Sequence, residues 1–409
     1  MSPSHEPARH LADPVTAPGH DATGATVGLG TIAREWGRIG CIGFGGPPAH
    51  IALLRSLCVE REAWLSPDEF EDGIAATNLL PGPASTQLAI LCAWRLRGAS
   101  GALVGGLCFI VPGLVVILAL SVLFFSPHAP LWVRGAAAGA GATVPMVALQ
   151  ASIGLLPGSW RRAGSARPAR ARWVAYLTLG ALAAATVGPW LVLLLVACGV
   201  LEATVRSPGR RDPSTRRAAG LPPAVLPVLA TGGLGALAWV ALKVGLFSYG
   251  GGFVIIPMMQ HDAVHTYHWM TAGQFLDAVA LGQITPGPVV QTVAVVGYAA
   301  SGLVGGLLAA FVAFAPSFVF ILVGGPRFDR LRTNTWAQGF LTGAGAASIG
   351  AIAGSTIPLA LSLAHLWQLG VLVAAGVWLL VLRRGVVSAL VGAALLGVAA
   401  AYAGLPLPA

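Results

Sequence analysis

Charged side chains are scarce in this chain, and their scarcity excludes a soluble fold. Of its 409 residues, 10% are Asp, Glu, Lys or Arg and 56% are hydrophobic, and the mean hydropathy is +0.77. So little polar surface cannot cover a water-soluble core. Apolar stretches such as residues 101–125 are as long as the roughly 20 residues that cross a bilayer. The composition therefore indicates an integral membrane protein.

The sequence also lacks the motifs of several membrane machines. It has no Walker A sequence, which argues against an ATP-driven pump, and no GxSxG motif or acidic DDxxD cluster of the common membrane enzymes. The segment His261–His265 has the spacing of a metal site but no further carboxylate or cysteine ligand nearby, so we interpret it as a solvent-facing loop. We expect no metal and no cofactor. No CxxC spacing is present, and we interpret all five cysteines as packing residues: Cys41, Cys58, Cys92, Cys108 and Cys198.

The amino-terminal segment differs from the rest of the chain. Residues 1–26 are polar, rich in proline and glycine, and without the apolar core of a signal peptide, which predicts a disordered cytoplasmic tail. The formal net charge of the chain is +9. Its arginines cluster in short loops beside apolar stretches, where they set the orientation of membrane spans. A nucleic acid partner is therefore not expected.

The chain contains an internal repeat. Residues 38–55 align with residues 243–260, a shift of 205 positions (243 − 38), and the same shift pairs Asp72 with Asp277 without a gap. Further along, the shift becomes 204, which fits one residue lost from a loop. The repeat predicts a tail (1–26), a first transporter repeat (27–205), a basic loop with a linking transmembrane helix (206–241) and a second transporter repeat (242–409).

The positions of the arginines predict that the two repeats have opposite orientations. Loops 160–172 and 206–217 are both basic, and the sequence between them fits a hairpin of two spans, which places both loops in the cytoplasm. Arg97 follows the Pro-Gly-Pro helix of the first repeat, whereas the basic residues of the second repeat, including Arg332, follow its next span. We therefore predict an all-α polytopic membrane protein with two inverted-topology repeats of about six helical segments, joined by one extra transmembrane helix. Broken or re-entrant helices are expected where the repeats meet.

Glycine and proline interrupt equivalent apolar stretches of both repeats. Inside a helix, glycine costs about 1 kcal/mol relative to alanine and proline about 3 kcal/mol, so their use here needs a compensating function. Proline is tolerated in the first turn of a helix, and we expect Pro83 and Pro288 to open half-helices whose free N–H groups face a cavity. Helix N-termini bind anions. For any single glycine the alternative is that a small residue simply allows close helix packing.

These features predict a mid-membrane anion site that is lined by backbone N–H groups, hydroxyls and amides. The predicted substrate-binding residues are Arg38, Phe44, Gly45, Gly46, Pro47, Asn78, Pro81, Gly82, Pro83, Ser85, Thr86, Gln87, Lys243, Tyr249, Gly250, Gly251, Gly252, Gln283, Pro286, Gly287, Pro288, Gln291 and Thr292.

Two pairs of charged residues are equivalent under the repeat. Arg38 matches Lys243, the only lysine of the chain, and an intramembrane cation can serve as a counter-charge for an anion. The alternative is that these side chains snorkel to the membrane interface. Asp72 matches Asp277, and a buried carboxylate suits proton coupling. Charged neighbours around Asp72 favour a wet loop there, so Asp277 is the stronger candidate.

Four stretches of the sequence resemble the chromate ion transporter family in its long, two-domain form: FGGPPAHIALLR, NLLPGPASTQLAI, FSYGGGFVIIP and DAVALGQITPGPVVQTVAVVGY. The resemblance extends from about Thr31 to the carboxyl end. The FGGP and PGP motifs of the family correspond to Phe44–Pro47, Pro81–Pro83 and Pro286–Pro288. SYGGG replaces the commoner form that ends in FGGG, and the cation expected near Gln260 is absent.

The resemblance implies a secondary transporter of the cytoplasmic membrane that exports chromate and confers chromate resistance. We expect the proton gradient to drive it. Sulfate or another tetrahedral oxyanion is the alternative substrate, because N–H groups, hydroxyls and cations read charge and shape rather than the central atom. A membrane-embedded redox enzyme that uses the cysteines and His261 is an alternative of another class. The expected partners are the oxyanion, the lipid bilayer and a second copy of the chain in a homodimer.

Overall fold

The computed structural model describes residues 27–78, 80–126, 128–186, 191–207, 233–248, 252–324 and 334–408. Within these ranges it contains fourteen α-helices and no strand, which confirms the predicted all-α class. The helices are α1 (Leu29–Ile42), α2 (Pro47–Arg55), α3 (Pro67–Thr77), α4 (Ala84–Phe124), α5 (Leu131–Ala163), α6 (Arg167–Thr186), α7 (Leu191–Arg206), α8 (Gly233–Phe247), α9 (Ile255–Gln260), α10 (Ala272–Ile284), α11 (Thr292–Gly324), α12 (Thr335–Leu361), α13 (Leu366–Gly376) and α14 (Val386–Tyr402).

Four helical stretches in the described ranges are long and apolar enough to cross a membrane. They are Ala84–Phe124, Leu131–Ala163, Val289–Gly324 and Thr335–Leu361. Large apolar side chains on these helices are exposed, among them Val115 at 62% and Phe311 at 73%. Such exposure is expected of helices that face lipid tails. The structure thus agrees with the predicted polytopic membrane protein.

The helices α4 and α11 each double back on themselves. Helical dihedrals fail at Gly98 and at Gly302, together with the residue before each, and both glycines have φ near +60°. Glycine adopts this left-handed conformation without steric cost. The part after each turn is called the long arm here, residues 99–124 in α4 and 303–324 in α11. Small residues let the short arm touch the long arm, since a methyl group added at Gly297 would overlap the opposite arm.

The repeat found in the sequence is also present in the backbone. Capping boxes begin α3 at Ser66 and α10 at Thr271, 205 positions apart (271 − 66). One-turn π-helices follow α2 at Ser56–Arg61 and α9 at His261–Thr266, with the same offset. Local geometry is therefore repeated even where the side chains differ.

The two long arms run antiparallel against each other. A methyl group added at Gly106 would overlap Phe318, and one added at Gly306 would overlap Leu118. Residue numbers thus rise along one arm as they fall along the other. Antiparallel packing of this kind brings the start of each arm beside the end of its counterpart.

The turns of the two hairpins lie at opposite ends of the bundle. At the turn of α4, the Arg97 guanidinium donates a hydrogen bond to Val27 O, at 3.1 Å, beside the start of α1. Near the turn of α11, the rings of Tyr298 and Phe125 are 5.9 Å apart, beside the far end of the long arm of α4. That arm separates the two turns by roughly 40 Å. The orientation of each repeat relative to a bilayer stays a prediction.

The end of the bundle that holds the turn of α4 is basic. The helix α5 begins beside the far end of α4 and ends here, where Arg206 donates to Ala163 O at 3.1 Å. Here the buried carboxylate of Glu202 accepts hydrogen bonds from Arg172 Nε and Arg206 Nε, each at 2.7 Å, and so ties α6 to α7. Ser207 Oγ lies 3.2 Å from Thr335 Oγ1, which places the start of α12 at the same end. This is the end that the arginine distribution assigns to the cytoplasm.

Several predictions from the sequence concern residues outside the described ranges. They include the tail 1–26, most of the linking segment 206–241, and Tyr249, Gly250 and Gly251. The described end of the linking segment, from Gly233, is continuous with α8. The predicted boundary between residues 241 and 242 therefore falls inside a helix, because no turn residue interrupts this apolar stretch.

Candidate binding site at the helix breaks

The break between α1 and α2 is made by glycines. Gly45 and Gly46 have φ values of 98° and 73°, which other residues rarely adopt. Pro47 then occupies the start of α2, where a missing N–H costs no hydrogen bond. Phe44, just before the glycines, is 43% exposed. The interruption that the sequence predicts here is present.

The first Pro-Gly-Pro loop leads into a helix start without a side-chain cap. Gly82 has a φ of 116°, and Pro83 precedes α4. The Gln87 N–H donates to Pro83 O at 3.0 Å as the first bond of the helix. The N–H groups of the residues before it, including the buried Ser85 and Thr86, are the free donors of a helix start. They carry the positive end of the helix dipole.

The second Pro-Gly-Pro loop repeats this geometry and contacts the first repeat. Gly287 has a φ of 98°, and the Gln291 N–H donates to Pro288 O at 2.9 Å at the start of a short 3₁₀ turn that leads into α11. The Gly287 N–H donates to Gly43 O at 3.0 Å. The break of one repeat is therefore hydrogen-bonded to the break of the other.

Buried polar side-chain atoms without a hydrogen-bond partner collect at these breaks. An unsatisfied buried polar group costs about 1–3 kcal/mol, so a cluster of them indicates a site that a polar ligand would complete. Each of their side chains is at most 8% exposed. Within the described ranges these atoms, called the orphan atoms below, are Thr86 Oγ1, Gln87 Oε1, Ser248 Oγ, Gln283 Nε2, Gln291 Oε1 and Ser317 Oγ.

Each Pro-Gly-Pro loop lies against the long arm of the other repeat. Ser317 Oγ is 3.6 Å from the place that a Cβ atom would take on Gly82. Gly113 is equivalent to Ser317 under the shift of 204 (317 − 113), and it lies against Pro286 O and the amide of Gln291. Any side chain on Gly113 would overlap these groups. Glycine is required here by the close approach of the loop.

His50 lies at the first helix break, although the sequence alone did not single it out. Its ring is fully buried, with Nε2 2.9 Å from Gly43 O and Nδ1 3.2 Å from Ser85 Oγ. Since a carbonyl only accepts, Nε2 carries a proton, and in the neutral ring Nδ1 accepts from the serine hydroxyl. The rings of His50 and Phe109 pack edge to face, with their centroids 5.0 Å apart. The available signal was a histidine three residues after the FGGP motif.

Comparison with known proteins connects this geometry to a family. The family described as Chromate transporter matches residues 30–203 and 235–398, two stretches that begin 205 positions apart (235 − 30). The chain belongs to the chromate transporter family. The resemblance seen in the sequence motifs is thereby confirmed.

Relatives with assigned names align with most of this chain. The chromate transport protein of Cupriavidus metallidurans is 33% identical over 357 residues, 84% of this chain and 86% of its own length. The chromate transport protein of Pseudomonas aeruginosa is 31% identical over 79% of each chain. The probable chromate transport protein of Synechococcus elongatus is 29% identical over 81% of this chain and 84% of its own. These relatives are named as transporters, in keeping with the expectation of a protein that is not an enzyme. No solved structure matches the chain significantly.

Unlike the unpartnered polar groups around the breaks, Lys243 is already paired and Arg38 is exposed. Lys243 Nζ is 2.5 Å from Asp262 Oδ2, with side chains that are 16% and 11% exposed. A contact between Lys243 and a substrate would require this ion pair to open. Arg38 is exposed, and the carboxylate of Glu35, one turn earlier in α1, pairs with Arg34 at 3.1 Å. The binding roles of Lys243 and Arg38 stay predictions.

Asp277 and Asp72 have the same place in the repeat but opposite surroundings. Asp277 is 6% exposed and packs against Gly141, whereas Asp72 is exposed. Asp277 lines a small polar pocket of about 170 Å³ together with Arg134 and Ser126. Ser126 follows the far end of α4, so this pocket is at the end opposite the basic loops.

The remaining predicted polar residues divide between the site and the surface. Gln283 is buried at the end of α10, and Thr292 Oγ1 donates to Val289 O at 2.8 Å, in space left by Gly282. Asn78, the counterpart of Gln283, is exposed. The structure thus brings Gln283 and Thr292 to the breaks and leaves Asn78 outside them.

The described part of the chain holds no group of three or more metal ligands. The interpretation of His261–His265 as a solvent-facing loop is wrong, because the segment lies in a π-helical turn whose Asp262 is 8% exposed and paired with Lys243. The ring centroids of His261 and His265 are 5.8 Å apart. Three of the five cysteines are buried, and none forms a disulfide. The burial of Cys58, Cys92 and Cys198 fits the interpretation as packing residues, whereas Cys41 is exposed.

Proposed function

We propose that this chain exports chromate across the cytoplasmic membrane, that the proton gradient drives the export, and that it confers chromate resistance. Membership in the chromate transporter family supports the substrate. The observation that carries the proposal is the cluster of buried, unpartnered polar atoms around the helix breaks of the two repeats. A tetrahedral oxyanion would satisfy the donors of this cluster.

Binding would combine charge and shape. The free N–H groups at the start of α4 and at the start of the 3₁₀ turn that precedes α11 supply donors and partial positive charge without an ionised side chain. The hydroxyls of Thr86, Ser248 and Ser317 and the amide nitrogen of Gln283 add four side-chain donors. Such donors suit the oxygens of an oxyanion, which lie around one centre.

Transport would follow from the position of the site between the repeats. The orphan atoms are buried, so an ion reaches them only after the surrounding helices move. The Gly287 to Gly43 hydrogen bond and the contacts of Gly113 and Ser317 join the two repeats at this point. Movement of one repeat against the other would open the site to one face at a time, as in inverted-repeat transporters.

Asp277 is the proposed proton-coupling residue. It lies in α10, six positions before Gln283, and its pocket lies at the end of the bundle opposite the basic loops. Carboxylates inside membrane transporters commonly serve as proton relays. A proton that binds from this side would thus act on the helix that ends at the second break.

Everted vesicles test the proposed export directly. Vesicles that contain the chain should accumulate radiolabelled chromate when their lumen is acidified, whereas vesicles without it should not. The double variant Thr86→Val with Ser317→Ala removes two orphan donors and should reduce uptake by about tenfold or more. The matched control is Thr178→Val on α6, whose hydroxyl bonds only its own helix. Equal uptake with and without the chain would contradict the proposal.

Single-cysteine reporters test the proposed inverted arrangement. In a cysteine-free background, cysteines at positions 97 and 332 should both be labelled from the cytoplasmic face. Labelling from opposite faces would contradict the inversion. Normal chromate transport by the cysteine-free protein would also exclude a redox enzyme that depends on its thiols.

A further inference from the structure

The amides of Gln87 and Gln291 have a fixed orientation. Gln87 Nε2 donates to Pro81 O at 2.6 Å, and Gln291 Nε2 donates to Ile110 O at 2.8 Å. A backbone carbonyl only accepts hydrogen bonds, so the nitrogen of each amide must face it. The amide oxygens consequently point away from these carbonyls.

Both amide oxygens are buried and without a donor. Gln87 and Gln291 are 0% exposed, and their Oε1 atoms are among the six orphan atoms at the breaks. An amide oxygen can only accept. The site therefore presents two acceptors beside its hydroxyl, amide and backbone N–H donors, and a ligand that donates as well as accepts would satisfy more of these groups than one that only accepts.

A fully deprotonated oxyanion offers these two oxygens no donor. All of its oxygens are acceptors, so an amide oxygen would face it lone pair against lone pair, and both would lose hydration without a hydrogen bond in return. An oxyanion that retains a proton offers one hydroxyl donor along with its acceptor oxygens. Its hydroxyl can bond one glutamine oxygen while its other oxygens accept from the donors.

We propose that this site selects the singly protonated oxyanion, hydrogen chromate, over the chromate dianion. The inference rests on the proposed function and specifies the form of the substrate. Near neutral pH a sizeable share of chromate ions still carry one proton. Sulfate has lost its last proton at a far more acidic pH. The glutamine oxygens thus distinguish two anions that share a shape.

Equilibrium binding to the purified full-length protein measures the substrate form without any gradient. Radiolabelled chromate is kept dilute so that dichromate does not form, and its Kd is measured from about pH 6 to about pH 9. If only hydrogen chromate binds, Kd for total chromate rises about tenfold for each pH unit once the dianion dominates. A Kd for total chromate that stays constant or falls across this range would overturn the proposal.

Competition at one fixed pH separates ligand protonation from titration of the protein. Several elements packed around the amides carry titratable or charged groups, and a pH profile alone would include their effects. Near neutral pH, phosphate retains a proton, whereas sulfate and selenate do not. The phosphate concentration that displaces bound chromate should therefore be at least about tenfold lower than the sulfate or selenate concentration that does so. The groups concerned are His50 and Arg55 on α2, Cys92, Arg95, Arg97 and Cys108 on α4, Lys243 on α8, Asp277 on α10 and Tyr298 on α11.

Two substitutions test the acceptors themselves. Gln87→Met and Gln291→Met keep the volume but remove the amide oxygen, and we expect at least one to weaken chromate binding by about tenfold and to reduce the advantage of phosphate over sulfate. Gln150→Met on α5, a partly exposed glutamine outside the cluster, is the matched control and should change neither.

The outcomes separate this inference from the proposed function. Chromate binding with equal competition by phosphate and sulfate would overturn the selection of a protonated ion while leaving chromate transport standing. Absence of chromate binding at every pH would overturn both. The competition assay uses the unaltered protein, so the inference can be rejected even if a glutamine variant does not fold.

Discussion

The two helix breaks share a backbone but differ in their side chains. Gly82 and Gly287 have the same left-handed geometry, and each loop lies against the long arm of the other repeat. Around the first break the structure buries His50, whose counterpart in the second repeat is Ile255. Before the second break it buries Asp277, whose counterpart Asp72 is exposed. A symmetric scaffold therefore carries asymmetric chemistry.

This difference shows how two similar repeats can form one site whose two sides differ chemically. Donors from helix starts occur twice because they belong to the backbone, which the duplication preserves. Titratable groups occur once on each side, at positions that are not equivalent. We expect the ion to bind between the repeats and protons to be exchanged on one side only.

The largest effect is expected at position 113, where the first repeat has no space for the side chain that the second repeat has. Gly113→Ser gives the first repeat the residue that the second has as Ser317, but its side chain would overlap Pro286 O. Overpacking of this kind costs about 1–3 kcal/mol, and it would displace the loop that holds the second helix start. Chromate uptake should fall to background, measured in everted vesicles together with protein yield.

The reverse change and a neutral position serve as controls for Gly113. Ser317→Gly removes one orphan hydroxyl without a clash and should reduce uptake only partly. Gly154→Ser lies where an added Cβ has open space and should have no effect. Equal tolerance at positions 113 and 154 would show that the loop approaches the long arm less closely than described.

A second test compares the two equivalent aspartates. Asp277→Asn keeps the shape beside Gly141 but removes the proton-binding group, and it should reduce uptake driven by a pH gradient by about tenfold or more. Asp72→Asn should change uptake by less than about twofold, because its side chain is exposed. Chromate binding at equilibrium should persist in both variants. Equal losses in the two would remove the proposed asymmetry.

The ion pair of α8 gives a third test. If Lys243 contacts the oxyanion, Lys243→Met reduces transport several-fold, and adding Asp262→Asn does not restore it. If the pair is only structural, the double variant recovers, because neither charge is then left buried alone. Initial rates of chromate uptake for the two single variants and the double variant distinguish these cases.

The smallest effect is expected for His50. His50→Ile introduces the residue of the second repeat and leaves Ser85 without its ring partner, which should lower the free energy of unfolding by about 1–3 kcal/mol. Thermal unfolding in detergent should report a loss of a few degrees, with a moderate loss of transport. His128→Ile, at an exposed loop position, is the control. An unchanged melting temperature for His50→Ile would show that its hydrogen bonds are not needed.

The sequence by itself determined the class of the protein, the repeat and the place of the breaks. Composition identifies the membrane protein because apolar surface must be covered by lipid, and glycine and proline identify the breaks because their backbone preferences are local. For the same reason the capping boxes at Ser66 and Thr271 are legible in the sequence as Ser/Thr followed by Glu/Gln three residues later.

Only the tertiary structure decided which of these residues meet. It placed His50 and Ser317 at the breaks, paired Lys243 with Asp262, and left Arg38, Asp72 and Asn78 at the surface. Burial and hydrogen-bond partners depend on packing between segments that are far apart in the chain, such as Gly287 against Gly43. Local sequence carries no signal for such contacts, and so the orphan atoms that define the site became visible only in the folded chain.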